Sequence, residues 1–406
     1  MFNRLKTLAR RPVQGLLTLF CAVAVLTACG GGGSDSAAAD TRSAFAAGPI
    51  TGFGSVIVNG VRFDDSSASV TDDDGTSHRS SDLRLGMMAE VSGSGITDDG
   101  SGARSKARSI RFGSEIVGPV QSIAPDGKSL VVLGQTILIT ATTLFDDRLA
   151  GGLAGLTAGS SVVEVHAQIN ATTGAYTATR IEPKSNPLFF KLRGAVSGID
   201  KTARTFKIGA GTDVISYAAI AATVPAALDN GLIVRVKLQT TQVGGQWIAS
   251  KVESGVRRVD DHDEAELKGT ITATTFAVDK KFSVNGIPVD AAGASFPKGT
   301  AGIVLGARVE VKGRAVNGTI IATRVQVESD DDRDRGEFEL HGTISALNAI
   351  AKTFVLRGIT VSFAGAGIEY RKGTSANLVD GRNVEVKGIR SADGTQLTAT
   401  RISFED

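Results

Sequence analysis

The chain has 406 residues, 44 of them Lys or Arg and 42 Asp or Glu, for a formal charge of +2. So even a balance gives no electrostatic ground for a nucleic-acid partner, which needs a basic surface. Two cysteines cannot staple a chain of this length, while 42% apolar residues supply core material for more than one domain.

Residues 1–11 carry Arg4, Lys6, Arg10 and Arg11 and no acidic side chain. The apolar stretch at 16–26 is shorter than the ~20 residues that span a bilayer, and it suits the core of a signal peptide. It ends in Leu26-Thr27-Ala28-Cys29-Gly30, which resembles the bacterial lipobox. That resemblance implies cleavage after Ala28 and lipid on the Cys29 thiol, so 1–28 is read as a lipoprotein signal peptide. Its removal takes four basic residues and no acidic one, leaving a charge of about −2. Cys21 departs with the signal and Cys29 is acylated, so no disulfide is expected. Residues 29–47, rich in Gly, Ser and Ala, are read as a flexible tether. Position 30 is glycine, not the aspartate that, by resemblance to enteric lipoproteins, favours the inner membrane. The expected address is therefore the outer membrane.

Beyond the tether one pattern returns five times. Leu-x-x-Gly-x-x-Val-Glu-Val-x-Gly is clearest from Leu378 to Gly388 and from Ile303 to Gly313, with variants at Leu83, Gly159 and Leu228. Each copy is followed by a second signature: Ala178-Thr179-Arg180-Ile181, Ala249-Ser250-Lys251-Val252, Ala322-Thr323-Arg324-Val325 and Ala399-Thr400-Arg401-Ile402, with Ala107-Arg108-Ser109-Ile110 in the first repeat. Turn dipeptides such as Asn317-Gly318 and Asp393-Gly394 separate the two, as in hairpins. The repeats are placed at 48–113, 115–184, 189–255, 265–329 and 338–406. Each reads as three strands, a variable middle with weakly helical stretches such as 218–230, and a closing hairpin. The fold class predicted is all-β, five tandem OB-like five-stranded barrels. Val-Glu-Val alternation points the glutamate outward, so Glu310 with Arg324, Glu385 with Arg401 and Glu164 with Arg180 are expected to face each other across their hairpins. Arg235 and Lys251 cannot make that pair in the third repeat.

The segment Ile50-Thr51-Gly52-Phe53-Gly54-Ser55-Val56-Ile57-Val58-Asn59-Gly60 resembles the opening of a repeat family in proteobacterial lipoproteins, itself a domain of unknown function. The resemblance covers most of 48–406. It implies an envelope lipoprotein of repeated β units and supplies no catalytic residue.

Motifs for chemistry are missing or broken. Gly52-Phe53-Gly54 lacks the third glycine of a kinase loop and is read as a strand turn, and Gly127-Lys128-Ser129 lacks the phosphate-loop glycine at Ser122. The histidines His78, His166, His262 and His341 have no ligand spacing and are read as surface or strand residues. Trp247, in a closing strand, is read as core or barrel rim. The acidic runs 72–74, 260–264 and 330–334 match no calcium loop and are read as solvated segments. No enzyme, cofactor or metal is expected. The partners expected are a membrane, through Cys29, and an envelope protein. The alternative is an envelope polysaccharide or small ligand, against which stands an aromatic content of 5%.

Overall fold

The computed structural model describes residues 41–100, 102–149, 151–257, 259–328, 337–391 and 396–405. Cys29, the segment 1–28 read as a signal peptide and the acidic run at 330–334 lie outside them. No helix among the described residues is long and apolar enough to cross a membrane.

In the first barrel an opening strand, Ser43–Phe53, leads into the inner hairpin Val56–Val58 and Val61–Asp64; a connector then reaches the closing hairpin Met88–Ser94 and Ala103–Phe112. The opening strand pairs with the second, the second with the third, and the last with the fourth, all antiparallel. The third runs parallel to the last, and the fourth closes back on the opening strand. A closed ring of this kind has no free edge.

The same ring forms in the other four units. The second opens with Ile116–Ile123 and closes with Val162–Ile169 and Tyr176–Pro183. The third runs from Phe190–Asp200 to Ile233–Val243 and Gln246–Ser254. The fourth runs from His262–Thr274 to Arg308–Val316 and Thr319–Val327. The fifth runs from Glu337–Asn348 to Asn383–Arg390 and Leu397–Phe404. Five strands closed with the third beside the fifth give the OB-like order.

The repeated glycines now have physical causes. Gly86, Gly159, Gly231, Gly306 and Gly381, which precede each fourth strand, all sit at φ between +80 and +88, where a side chain is strained. Their N–H groups donate to Ile50, Val120, Val196, Ile271 and Ile344 of the opening strands at 2.8–2.9 Å. The second glycine of the block lies opposite a β-bulge. Gly388 faces Ala399, the next pair is Lys387 with Arg401, and Thr400 is the extra residue. The Thr400 hydroxyl donates to the Lys387 carbonyl at 3.1 Å, and Thr323 does the same to Lys312 at 3.1 Å. A Cβ on Gly388 would meet the Thr398 carbonyl oxygen at 2.7 Å. Gly388→Ala is therefore expected to cost about 1–3 kcal/mol through overpacking, read as a lower urea midpoint. An unchanged midpoint would mean that the bulge yields freely.

The bulge corrects the expected ion pairs. Glu310 faces Gln326, Glu385 faces Ser403 and Glu164 faces Glu182, each two residues from the arginine assigned to it. The extra residue moves the arginine along the strand, so that Lys312 faces Arg324 and Lys387 faces Arg401. In the third barrel Lys237 faces Lys251, while Arg235 faces Glu253.

Two further expectations change. The tether does not extend to residue 47: the opening strand begins at Ser43, and Phe45 and Ala47 are buried against the fourth barrel's core. Residues 218–230 form one 3-10 turn, Ala218–Ile220, because Pro225 has no N–H to donate and drives Val224 out of helical geometry. The barrels also pair with one another through their opening strands. Ala44–Ala47 pairs parallel with Glu264–Leu267 of the fourth barrel, and Gly52–Phe53 pairs parallel with Glu339–Leu340 of the fifth. Lys191 and Leu192 pair with Val117 and Ile116, joining the third barrel to the second. The second and third barrels share one apolar core and the first and fifth another.

Candidate functional site

Where barrels meet, the outward faces of their strands carry charge, and two such meetings stand out. The first is a junction of the first three barrels. Beyond the third strand of the first barrel, Ser69–Asp72 and Ser77–His78 form a short hairpin whose tip holds Asp73 and Asp74. This tip enters the third barrel. Lys191 Nζ donates to both Asp73 carboxylate oxygens at 3.0 and 3.2 Å, and Arg193 reaches one at 3.4 Å. Arg235 bonds Asp74 and the Asp73 carbonyl, and Lys237 lies 2.8 Å from Asp74. Behind it the buried Arg257 joins Glu90 of the first barrel at 2.8 Å to Glu115 of the second at 2.6 Å. Burial alone would raise the Asp73 carboxyl, but Lys191, Arg235 and Arg193 together bring it down to about 2. The run at 72–74 is therefore a docking pin, not a solvated segment. The run at 260–264 keeps Asp260, Asp261 and Asp263 exposed, as expected, while Asp263 accepts from Ser43 N at 2.8 Å, Asp261 from Asn317 N at 2.6 Å, and Glu264 from Arg42 at 2.6 Å.

The second meeting is a cleft of about 790 Å³ between the first and fifth barrels, and it is the candidate site. The glycine-rich opening segment builds it. Gly52 lies so close to Glu339 that a Cβ would strike the Glu339 carbonyl oxygen, and a Cβ on Gly54 would strike the His341 side chain. Gly54, at φ +129, also makes the turn into the second strand. These glycines let the first barrel's backbone lie against the fifth.

On the floor, His341 is held through both ring nitrogens, Nε2 by Glu339 at 2.7 Å and Nδ1 by Glu405 at 2.8 Å. Arg62 of the first barrel bonds Glu339 and lies 3.7 Å from Glu385, while Lys387 reaches Glu339 at 3.2 Å. Burial alone would lower the His341 imidazole, but hydrogen bonds to Glu339 and Glu405 and the charge of Glu385 raise it above the usual histidine value. Burial would raise Glu339, yet His341, Arg62 and Lys387 bring it down to about 2. Three cations and three carboxylates thus neutralise one another.

Glu339, His341 and Glu385 place one ligand atom each within 4.8 Å of the others, close enough to hold a metal. The fit is poor, because Arg62 and Lys387 occupy the carboxylates and both imidazole nitrogens are committed, Nε2 to Glu339 and Nδ1 to Glu405. A divalent ion would have to expel both cations and a proton.

The other histidines are not alike. His166 is fully buried at the junction of the first two barrels, with Nδ1 2.9 Å from the Gly113 carbonyl; His262 stacks on Phe45; and His78 lies 3.2 Å from Asp72. His166 and His341 are strand residues, as expected, and both are packed inside barrel contacts. Trp247 is buried edge-on to Phe190 and donates to Asp213 at 2.8 Å. Arg62, Glu339, Lys387, Arg371 and Lys372 escaped the sequence reading. Their signal was weak, single charges scattered over four strands and a turn.

Three of the five barrels match one family model. It is a domain of unknown function (DUF5666), matched at residues 117–182, 268–326 and 341–403, in the second, fourth and fifth barrels. The third match begins at His341 and ends at Ser403, so much of the fifth barrel's side of the cleft falls within it. The first and third barrels lie outside these segments but close in the same strand order. No curated protein matches the chain.

Proposed function

We propose that this chain is a lipid-anchored envelope protein, acylated on Cys29 and held at the outer membrane, which works as a structural or interaction protein without catalysis. The observation that carries the reading is the locking of five barrels into one body by shared strands and buried ion pairs. A body with so many buried cross-barrel bonds is suited to hold a fixed surface toward a partner envelope protein. The composition of the first 28 residues supports export, and Leu26-Thr27-Ala28-Cys29 supports acylation. From Cys29 the chain takes 14 steps to Ser43, at most about 50 Å when fully extended, so the body would stay near the bilayer.

The test is metabolic labelling with an alkyne palmitate analogue, followed by membrane fractionation. The full-length chain is expected to take label and sediment with membranes. Cys29→Ala is expected to take none and to lose its membrane hold. An unlabelled wild-type chain would overturn the anchor. Photocrosslinking in intact cells tests the interaction role: a reproducible protein adduct supports it, and adducts to glycan alone would remove it.

A further inference from the structure

We infer that the cleft between the first and fifth barrels binds a small, multiply charged anion carrying carboxylate or phosphate groups on a hydroxylated frame, as an acidic oligosaccharide does. This site goes beyond the anchored-scaffold reading and does not depend on the lipid.

Its size comes first. About 790 Å³ lies within the range of small-ligand sites, ~300–1,000 Å³, and exceeds three other cavities in the body, of 350–400 Å³. Its shape follows from the fold. One wall is the outer face of the second and third strands of the first barrel, the side on which OB-folds take oligomeric ligands. The other is the closing hairpin of the fifth. Each wall carries a pair of like charges in register: Arg62 beside Arg104 on the first barrel, and Lys387 beside Arg401 on the fifth. Like charges directly opposite on neighbouring strands are destabilising.

Charge is distributed unevenly within the cleft. The floor balances, as described above, and on the first barrel's wall Asp64 sets one carboxylate against Arg104. Toward the rim, Arg371 and Arg401 share one carboxylate, Glu369, at 2.7 Å each, so the pair keeps one excess positive charge. Lys372 lines the same wall in a turn at φ +56, with no carboxylate partner among the described residues. Guanidinium groups suit carboxylate and phosphate because their N–H fork matches two oxygens at once. Glu369 is 46% exposed, so exchanging it for a ligand carboxylate uncovers no buried charge.

The remaining lining selects against other ligands. Ser55 and Ser403 offer hydroxyls to a polar frame. The one aromatic residue along the cleft, Phe404, is 1% exposed, so no ring face is presented for a neutral sugar to stack on. Recognition therefore rests on charge and hydroxyl contacts.

The test is isothermal titration of the full-length chain in detergent at about 50 mM salt. The probes are trigalacturonate, inositol hexakisphosphate and, as the uncharged control, maltotriose. At least one anion is expected to bind with micromolar to sub-millimolar Kd, weakening at about 300 mM salt, while maltotriose does not bind. Trigalacturonate binding alone assigns carboxylates, and hexakisphosphate binding alone assigns phosphates. Lys372→Gln is exposed and bonds nothing that would unfold the chain; it is expected to weaken the anion at least threefold. Arg371→Gln with Lys372→Gln should weaken it at least tenfold, and Lys128→Gln on the second barrel should change nothing. Binding of neither anion overturns the proposal. So does anion binding that survives the double substitution, or maltotriose binding with equal affinity.

Discussion

Asp73→Asn is expected to lower the free energy of unfolding by about 3–5 kcal/mol, the penalty for breaking a buried ion pair from one side. The substitution keeps the size of the side chain and removes the charge on which Lys191, Arg193 and Arg235 converge. Those cations would remain nearly buried with one carboxylate fewer, and Arg193 and Arg235 already have side-chain nitrogens without a hydrogen-bond partner. Equilibrium urea unfolding at pH 7 measures the loss. Asp126→Asn, in an exposed turn of the second barrel, is the control and should cost little. A loss below 1 kcal/mol for Asp73→Asn would place the cluster in the class of weak surface pairs. The effect has a pH signature of known sign. The Asp73 carboxyl is held at about 2 in the folded chain and returns to about 3.9 when unfolded. Its contribution is complete above about pH 4 and is lost as pH falls toward 2, so the gap between wild type and variant narrows over that window.

Gly54→Ala is expected to be the second large effect, about 2–5 kcal/mol, because backbone strain and overpacking act together. At φ +129 an alanine is strained, and its Cβ would overlap the His341 side chain, with Cγ at 2.7 Å. The overlap can be relieved only by moving His341 off Glu339 and Glu405 or by moving the first barrel off the fifth. Gly60→Ala separates the two causes, since Gly60 also has positive φ, +82, but nothing within 4 Å of a Cβ. The Gly54 variant should lose more stability than the Gly60 variant, and spin labels on the two barrels should report a longer or broader separation. Equal losses would mean that the turn alone demands glycine at 54.

The sequence disclosed the barrel and concealed the assembly. Period-two alternation in Val309-Glu310-Val311 and its copies, with Asn-Gly turns, is local information, and closure of five strands follows from it. The bulge was legible as well, though overlooked: in Ala322-Thr323-Arg324-Val325 two buried apolar residues stand three apart, and an unbroken strand cannot bury both. Contacts between barrels leave no such period. Asp73 and Glu385 occupy outward positions of their elements, where charge ordinarily means solvent, and only the partner barrel turns solvent into Lys191 or His341. The cleft was illegible for the same reason, because Arg62 and Lys387 meet across more than 300 residues of chain.

The place of the first strand has a consequence for how the chain folds. Ser43–Phe53 emerges first, yet its parallel partners belong to the fourth and fifth barrels; Ser43 bonds Asp263, 220 residues further on. The second and third barrels can close and pair by short-range contacts while this strand still lacks neighbours on one side. Pairings of such sequence separation are slow, because a long loop must be ordered before any contact rewards it. During that interval an apolar edge containing Phe45 and Ala47 stays open to other chains. Deletion of the fifth barrel should therefore leave the second, third and fourth barrels able to close and a first barrel, stripped of part of its shared core, prone to aggregate, a failure at the opposite end of the sequence from the cut.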